Sequence, residues 1–425
     1  MITGAIASDI AGSYFIDHTS EVCTLSPLPR TAHPTGDSVI ILAAAEWLIE
    51  DSGHTPEILI EYLHKWGRKF ANLPYTDALM RLLNGKATGN GTPDTIPTLC
   101  AIPIGLYAKN IDEALQLSEI SAKATCTASG SIKDAQAIAA IVHLTHNGKS
   151  KEEIRKYIGE RFDTDTTSPA TPKESIGTAT EAMRIFLGSN TFEEILHRAL
   201  SSGCHTAATL SGAMASATAA EGYKIDKKFE REIMSHLPSR MINCIYTFNH
   251  LLDNPTIETP IRNSYKVDER IYAGEYPATS SEKLGRRDID RFIRFGITHF
   301  IDLTERGELL PYTQWLHENQ THIRFAIKDC GIPGSNREVA QLLETITSIL
   351  KEKNNMIYIH CRGGIGRTGT IVACYYAMFL KEYTPVYNLL RRQFSQCPKS
   401  AYRETPETMQ QKRFIMQFTD YMSKR

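Results

Sequence analysis

A short glycine-rich stretch in the last quarter of the chain holds the residues whose chemistry is easiest to name. The segment Ile357 to His360 reads as a strand, followed by Cys361-Arg362-Gly363-Gly364-Ile365-Gly366-Arg367-Thr368-Gly369 and then by the apolar helical pattern Thr370 to Leu380. A cysteine at this place lies beside the positive end of a helix dipole and near backbone N–H donors, which favours the thiolate. We therefore expect Cys361 to act as a nucleophile.

The remainder of this loop is suited to holding a phosphoryl group. Backbone N–H groups at a helix N-terminus cradle anions, and glycine lets the backbone approach them closely. Arg367 can fold back and bind two phosphate oxygens with its planar guanidinium. The predicted phosphate-binding residues are Arg362, Gly363, Gly364, Ile365, Gly366 and Arg367. A nucleotide-hydrolase P-loop is a weaker alternative because it requires Lys before Ser or Thr, where this loop has Arg367.

The loop resembles the HCxxGxGRTG signature of the cysteine-based protein tyrosine and dual-specificity phosphatases. Flanking segments are similar to the opening and closing regions of bacterial and plant members, namely residues 263–267, 273–277 and 406–408 with Gln411. The resemblance covers about residues 263 to 420 and implies an α/β domain with a phosphocysteine mechanism and no cofactor. It implies a phosphorylated substrate, which is a phosphotyrosine protein, another phosphoprotein or a small phosphomonoester.

The resemblance also implies a general acid, for which we select Asp329. This residue lies in a predicted loop after a strand, upstream of Cys361, where the family keeps its acid, and a partly desolvated carboxylic acid can serve the step. The alternatives are Asp302, Glu305 and Glu308, or a solvated Asp329 with no catalytic role.

Three further residues are expected to support the reaction. Thr368 is expected to hydrogen-bond the leaving thiolate, and His360 to orient the loop from beneath. Gln411 is a candidate for positioning the water of the second step, and the alternative is a polar residue on an exposed helix face.

The elements that would position this loop are predicted from the pattern of strand-like and helix-like segments in the second half of the chain. Short β-type runs at 270–273, 298–303, 323–327 and 356–360 alternate with helical patterns at 284–295 and 337–351. Strands alternating with helices predict a mainly parallel α/β sheet.

The first half has a different pattern, in which apolar residues recur at helical spacing between Gly, Ser and Thr breaks. Helices are predicted at 38–50, 56–69, 111–123, 132–146, 151–161, 175–187, 191–200, 208–219 and 227–252. The polar segment that begins at Asp253-Asn254-Pro255 marks a boundary. We predict an all-α domain over residues 1–254, a linker over 255–266 and an α/β domain over 267–425.

Residues 2–13 resemble the opening of the ADP-ribosylglycohydrolase family, and weaker matches continue in family order to about residue 252. The resemblance implies an all-α fold around a pair of magnesium ions. The acidic metal motifs of the family are altered, however, to Thr35-Gly36-Asp37-Ser38 and Gly203-Cys204-His205-Thr206. Where the family has a glutamate this chain has Ile16, and where it has histidines this chain has Cys126 and Ala128.

We infer that dinuclear hydrolysis is lost, because one aspartate cannot neutralise two Mg²⁺ ions and histidine is a poor magnesium ligand. No metal is predicted. A cleft around Asp37, Asn90 and Thr206 remains as a candidate pocket for ADP-ribose or a nucleotide.

Several alternatives stay open for the first half. Cys204, His205 and Asp37 suggest a weak zinc or Cys/His nucleophile site, and residues 163–166 imitate an acidic cluster. The whole chain is then either a phosphatase with an inactive glycohydrolase-like domain, a regulatory ADP-ribose- or nucleotide-binding protein, or a bifunctional enzyme with an altered metal site.

The composition restricts the classes of ligand and the cellular location that we expect. The 425 residues carry a net charge of −1, but residues 267–425 hold 23 Lys and Arg against 18 Asp and Glu, which suits an anionic substrate and is too weak for duplex nucleic acid. Nine cysteines without a CxxC pair argue against a disulfide scaffold, so a cytoplasmic location is expected. No apolar run predicts a membrane span, and no export signal is expected.

Overall fold

In the computed structural model, capping residues and apolar periodicity determine the helices of the N-terminal half. The structure describes residues 1–15, 28–51, 53–85, 95–126, 128–162, 177–218, 220–253, 258–278 and 281–425. The chain divides into two compact units, Met1–Leu252 and Asp253–Arg425. The helices of the first unit are α1 (Thr3–Phe15), α2 (Gly36–Glu50), α3 (Pro56–Lys69), α4 (Asp77–Leu83), α5 (Ile96–Tyr107), α6 (Ile111–Thr125), α7 (Ser129–His146), α8 (Lys151–Phe162), α9 (Thr178–Gly188), α10 (Phe192–Ser201), α11 (His205–Ser216), α12 (Lys227–Ser235) and α13 (Ser239–Asp253).

Caps define several of these helix starts. The Thr35 hydroxyl accepts a hydrogen bond from the N–H of Asp37 at the start of α2, and the Asn110 side chain accepts one from the N–H of Glu113 in α6. The predicted all-helical character of this half is confirmed.

The structure corrects two details of the helix prediction. The stretch 227–252 is two helices, because Pro238 provides no N–H and disfavours the helical conformation of the preceding residue. Helices α1, α4 and α5 were not predicted. Since α1 and α5 are buried almost all round, they lack the polar face that makes a helix visible in a sequence.

The second unit is built on a five-stranded sheet. Its strands are β1 (Ser264–Asp268), β2 (Ile271–Gly274), β3 (His299–Asp302), β4 (Thr321–Arg324) and β5 (Ile357–His360), and its helices are α14 (Glu282–Phe295), α15 (Asn336–Ile349), α16 (Gly366–Leu380), α17 (Tyr383–Phe394) and α18 (Met409–Ser423). The strand order is β1-β2-β5-β3-β4, with β1 antiparallel to β2 and all other pairs parallel. The predicted mainly parallel sheet is therefore observed, and β1 begins inside the segment predicted as a linker.

Alternation along β5 supplies a core to each face of this sheet. Ile357 and Ile359 pack with apolar residues of α15 to α18, whereas Tyr358 packs on the other face with Phe292 of α14 and Phe300 of β3. Strand β5 is thus buried on both faces at the centre of the sheet. Its carboxyl end, like that of β3 beside it, opens where a ligand binds in such folds.

Among the described residues, none of the helices has the length and apolar character that a bilayer-spanning helix requires.

Candidate active site and the buried polar cluster of the helical unit

The loop between β5 and α16 surrounds the sulfur of Cys361. This cysteine is 3% exposed, and its Sγ accepts a hydrogen bond from the N–H of Gly364 at 3.3 Å. Gly364 has φ +72°, and a Cβ there would lie 2.3 Å from the carbonyl carbon of Gly274. Only glycine satisfies both constraints, which explains its place in the loop.

Backbone donors of the same loop are unused. Within the described part of the chain, no protein acceptor receives the N–H groups of Arg362, Gly363, Ile365 or Gly366. Since α16 begins at Gly366, these groups lie at the positive end of a 15-residue helix. Unused N–H groups at a helix N-terminus form an anion-binding site.

Arg367 is held beside this loop by an acidic partner. The guanidinium is 2% exposed, and its two terminal nitrogens donate to the two carboxylate oxygens of Glu308 at 2.7 Å each. One terminal nitrogen also donates to the carbonyl of Ile327 at 3.0 Å. Burial by itself would lower the pKa of Arg367, but the hydrogen bonds to Glu308 and the charge of Cys361 raise it, so the group stays cationic. Its Nε–H meets no acceptor among the described residues.

Asp329 lies on the exposed side of this cation. Its side chain is 54% exposed, and its Oδ1 lies 2.9 Å from a terminal nitrogen of Arg367. The same oxygen accepts the N–H of Cys330 at 3.1 Å. The structure therefore brings together the three residues predicted for nucleophile, phosphate binding and acid.

Two of the alternative acids are committed to other partners. Both oxygens of Glu308 accept from Arg367, and these bonds hold the pKa of Glu308 below its usual range. Asp302 is fully buried at the end of β3; burial would raise its pKa, but hydrogen bonds from His322 and Thr304 and the nearby charges hold it well below its usual range. Neither carboxyl is suited to carry a proton at neutral pH. Glu305 is exposed in the loop after β3.

His360 supports the loop from inside the domain, where it is fully buried. Its Nε2 lies 2.8 Å from the hydroxyl of Tyr312. Burial lowers the pKa of His360 to about 4, so the ring is neutral and acts as a hydrogen-bonding support.

Thr368 and Gln411 differ from their expected contacts. The Thr368 hydroxyl is buried and has no hydrogen-bond partner within the described ranges, so the expected bond to Cys361 is not formed in this structure. Gln411 is fully buried, which excludes the exposed-face alternative. It forms a reciprocal capping pair with Thr408, and its amide donates to the carbonyl of Gly331 at 3.0 Å. Gln411 thus ties α18 to the loop that carries Asp329.

A buried lysine that no sequence pattern indicates lies behind the loop. Lys399 donates to the carbonyl of Gly363 at 2.7 Å and to a carboxylate oxygen of Glu275 at 2.7 Å, while Asn263 donates to the other oxygen at 3.0 Å. The Lys399 side chain is 7% exposed. No spacing in the sequence links residues so far apart, and only the unusual burial of a lysine identifies it.

The helical unit contains a second buried ionic cluster, formed by Asp9, Asp37 and His205. His205 Nε2 lies 2.7 Å from Asp9 and 4.0 Å from Asp37. Burial and the charge of Asp9 raise the pKa of Asp37 to about 6. Burial would lower the pKa of His205, but its hydrogen bond to Asp9 and the charges of both carboxylates raise it to about 9.

The predicted ligand pocket is only partly described. Asp37 is buried and accepts a hydrogen bond from Thr209 at 3.0 Å, and Thr206 also hydrogen-bonds it. Asn90 lies outside the described residues, as do Ile16 and residues 163–166. The structure separates Cys204 from the cluster, since its sulfur bonds the Thr178 hydroxyl at 3.9 Å, which weakens the zinc or Cys/His interpretation.

These residues do not fit a pair of magnesium ions. Mg²⁺ needs several oxygen ligands in octahedral geometry, and the cluster offers two carboxylates with an imidazole between them. The oxygens of Asp9 already accept hydrogen bonds from Thr35, Ser38 and His205.

Comparison with known proteins agrees with the division of the chain into a helical unit and an α/β unit. The family model described as ADP-ribosylglycohydrolase matches residues 2–236. The chain belongs to this family. A second family model, described as "Swiss Army Knife protein, DSP-PTPase phosphatase domain", matches residues 271–415. The predicted combination of a helical ADP-ribosylglycohydrolase-like domain and an α/β cysteine-phosphatase domain is confirmed.

Individual relatives match parts of the chain. "Putative tyrosine phosphatase 067L" of Invertebrate iridescent virus 3 is 32% identical over 166 residues, which cover 36% of this chain and 64% of the viral protein. The structure of Tk-PTP in its active form shares 21% identity over 38% of this chain and 97% of its own, with a TM-score of 0.31. An "ADP-ribosylglycohydrolase-related protein complex" shares 19% identity over 56% of this chain and 95% of its own, with a TM-score of 0.40.

Proposed function

We propose that the α/β domain hydrolyses phosphomonoesters through a phosphocysteine intermediate. The observation that carries this proposal is the array of unused N–H groups around Cys361 Sγ, beside the free Nε–H of Arg367. A phosphoryl group bound there would meet donors on its oxygens while its phosphorus faces the sulfur.

In the first step, the Cys361 thiolate attacks phosphorus and the ester P–O bond breaks. Asp329 donates its proton to the leaving oxygen, so that the alcohol or phenol departs neutral. The substrate phosphate must accept a hydrogen bond from the terminal nitrogen of Arg367 that now lies 2.9 Å from Asp329 Oδ1. The displaced carboxyl is then free to face the leaving oxygen, to which it gives its proton.

In the second step, water attacks the phosphocysteine and the P–S bond breaks. Asp329 takes the proton of the water, and inorganic phosphate and the Cys361 thiolate are released. The Thr368 hydroxyl, buried and unpaired in this structure, is the donor we assign to the departing sulfur. Gln411 is assigned to the water, because its amide already contacts the loop of Asp329.

For the substrate we propose a phosphotyrosine or another phosphorylated protein in the cytoplasm. The name of the viral relative, a tyrosine phosphatase, supports this choice. The described cysteines are free, as expected in a reducing compartment. A panel of phosphotyrosine peptides, phosphoserine peptides and soluble inositol phosphates, assayed side by side, distinguishes the classes by kcat/KM.

For the helical domain we propose the absence of dinuclear ADP-ribosyl hydrolysis, since its buried cluster does not fit two magnesium ions. ADP-ribose or a nucleotide remains the proposed ligand of its cleft. Calorimetric titration of the full chain with ADP-ribose tests binding, and release of ADP-ribose from a modified protein in Mg²⁺ would contradict the loss of hydrolysis.

The decisive test of the phosphatase is Cys361→Ser. The serine hydroxyl is too weakly acidic to ionise in the loop, so we expect turnover of an aryl phosphate to fall by at least about 10⁴-fold while binding of inorganic phosphate is retained. Cys330→Ser, which changes an exposed cysteine in the neighbouring loop, is the matched control. Turnover by Cys361→Ser within tenfold of the wild type would contradict the mechanism.

A further inference from the structure

We propose that His205 takes the place of a divalent cation in the helical domain: its imidazolium is the permanent counter-ion of Asp9 and Asp37, and the domain is stable without any metal. The family fold implies a metal centre, and this chain replaces it with a side chain of its own. The inference concerns the helical domain alone and does not depend on the phosphatase activity.

The His205 ring lies between the two carboxylates. Helices α1, α2 and α11 each contribute one ionisable residue, so that Nε2 of His205 faces Asp9 at 2.7 Å and Asp37 at 4.0 Å. Among the described residues, these carboxylates are the charged groups that act on the ring, and both are buried. A nitrogen that lies between two carboxylate oxygens is placed as a hydrogen-bond donor.

Asp9 has no acceptor position left for a metal. One oxygen accepts the Thr35 hydroxyl at 2.6 Å and His205 Nε2 at 2.7 Å. The other accepts the N–H of Thr35 at 2.8 Å, the N–H of Ser38 at 3.2 Å and the Ser38 hydroxyl. A carboxylate offers about four lone-pair sites, and these donors occupy all of them.

Charge balance also requires a cation beside Asp9 and Asp37. Two buried carboxylates without a counter-ion would be very costly, and among the described residues His205 is the cation that acts on both of them. The raised pKa of His205, about 9, agrees with a ring that stays charged at neutral pH.

The packing of α1 keeps the ring in place. A Cβ at Gly12 would lie 2.7 Å from Nδ1 of His205, so any larger residue at position 12 would push the ring out of its position. The absence of a side chain at this point of α1 is what admits an imidazole between the helices.

The first experiment uses the full-length wild-type protein. We expect less than about 0.1 equivalent of Mg, Mn, Fe, Ni or Zn by elemental mass spectrometry, and the same unfolding temperature within about 1 °C in millimolar Mg²⁺, Mn²⁺, Zn²⁺ or EDTA. A metal bound to the folded state at 100 times its dissociation constant would raise that temperature by roughly 5 °C or more in a unit of this size.

His205→Asp is the variant that should create a divalent-metal site, which the wild type lacks. With three carboxylates and no counter-ion, it should unfold several degrees lower in EDTA and recover at least about 5 °C in Mg²⁺ or Mn²⁺. If this variant does not fold, His205→Asn decides, because asparagine keeps a donor but removes the charge. We expect His205→Asn to lower the unfolding temperature by several degrees.

The matched control is His64→Asn, since His64 bonds a backbone carbonyl, that of Leu82 at 3.0 Å, rather than a carboxylate. Its unfolding temperature should stay within about 2 °C of the wild type. A stoichiometric metal in the wild type that is lost in His205→Asn, or an unchanged unfolding temperature of His205→Asn, would overturn the proposal.

Discussion

The ionic cluster around Cys361 and Arg367 and the one around Asp9 and His205 differ in how much hydrogen-bonding capacity each leaves unused. Around Cys361, the N–H groups of Arg362, Gly363, Ile365 and Gly366 and the Nε–H of Arg367 meet no acceptor in the described part of the chain, although Arg367 is held firmly by Glu308. Around Asp9, the donors of Thr35, Ser38 and His205 fill every acceptor position.

This difference shows that burial of charge does not by itself make a functional site. Both clusters pair a buried charge with residues distant in sequence. A ligand can bind the charged groups of a cluster directly only where those groups keep unsatisfied donors or acceptors pointing to one place. We therefore expect changes in the first cluster to alter catalysis and changes in the second to alter stability.

The largest expected effect comes from Arg367→Lys. A lysine is a point charge that cannot bind Glu308 and two phosphate oxygens at once, so kcat/KM for an aryl phosphate should fall by about 10³-fold. Steady-state kinetics measure this, with His205→Asn as the comparison from the other cluster, whose kcat/KM should match the wild type. Equal losses in the two variants would erase the distinction drawn here.

Asp329→Ala should lower turnover selectively. Poor leaving groups such as phenyl phosphate need protonation, so their kcat should fall by about 10²-fold or more, while activated nitrophenyl esters should lose much less. The comparison of a series of aryl phosphates gives the dependence on leaving-group pKa. A loss of the same size for every ester would transfer the acid role to Glu305, the alternative carboxylate whose side chain has no partner among the described residues.

Raising the pH should weaken the helical domain. The pKa of His205 is raised to about 9 in the folded state, so its contribution is complete below about pH 6.5 and is lost as the pH rises through 9. Full deprotonation should cost on the order of 3 kcal/mol of unfolding free energy.

Calorimetric unfolding between pH 7 and pH 10 measures this loss. The pKa of Asp37 is also raised, to about 6, so its burial penalty is already present at pH 7 and adds no further decline above it. His205→Asn should flatten the profile in this range, and a wild-type profile that is flat would contradict the charged ring.

A smaller effect is expected from Lys399→Met. Removing the donor to Gly363 loosens the loop and leaves Glu275 without its cation, so KM for a phosphoester and the inhibition constant of inorganic phosphate should rise by about tenfold, with kcat changed less. Lys399→Arg should recover part of the loss. Lys424→Met, which breaks an exposed pair with Asp420, is the control and should change neither constant.

The local sequence determined the elements and the phosphate loop. Helical periodicity located α3 at its observed limits, and the run from Ile357 to Gly369 specified strand, loop and helix, because these signals lie within a few residues of one another. The buried helices α1 and α5 were not predicted, because burial on all sides removes the periodic alternation of apolar and polar residues.

The partners of each buried charge were decided only by the tertiary structure. Glu308 reaches Arg367 and His205 reaches Asp9 across 59 and 196 residues of sequence, and nothing in either local pattern marks these pairs. From the sequence alone, Glu308 is an alternative acid and His205 is an unsuitable magnesium ligand. Whether a carboxylate carries a proton, holds an arginine or receives an imidazolium depends on which charges the fold places within about 4 Å of it, and that neighbourhood exists only after packing.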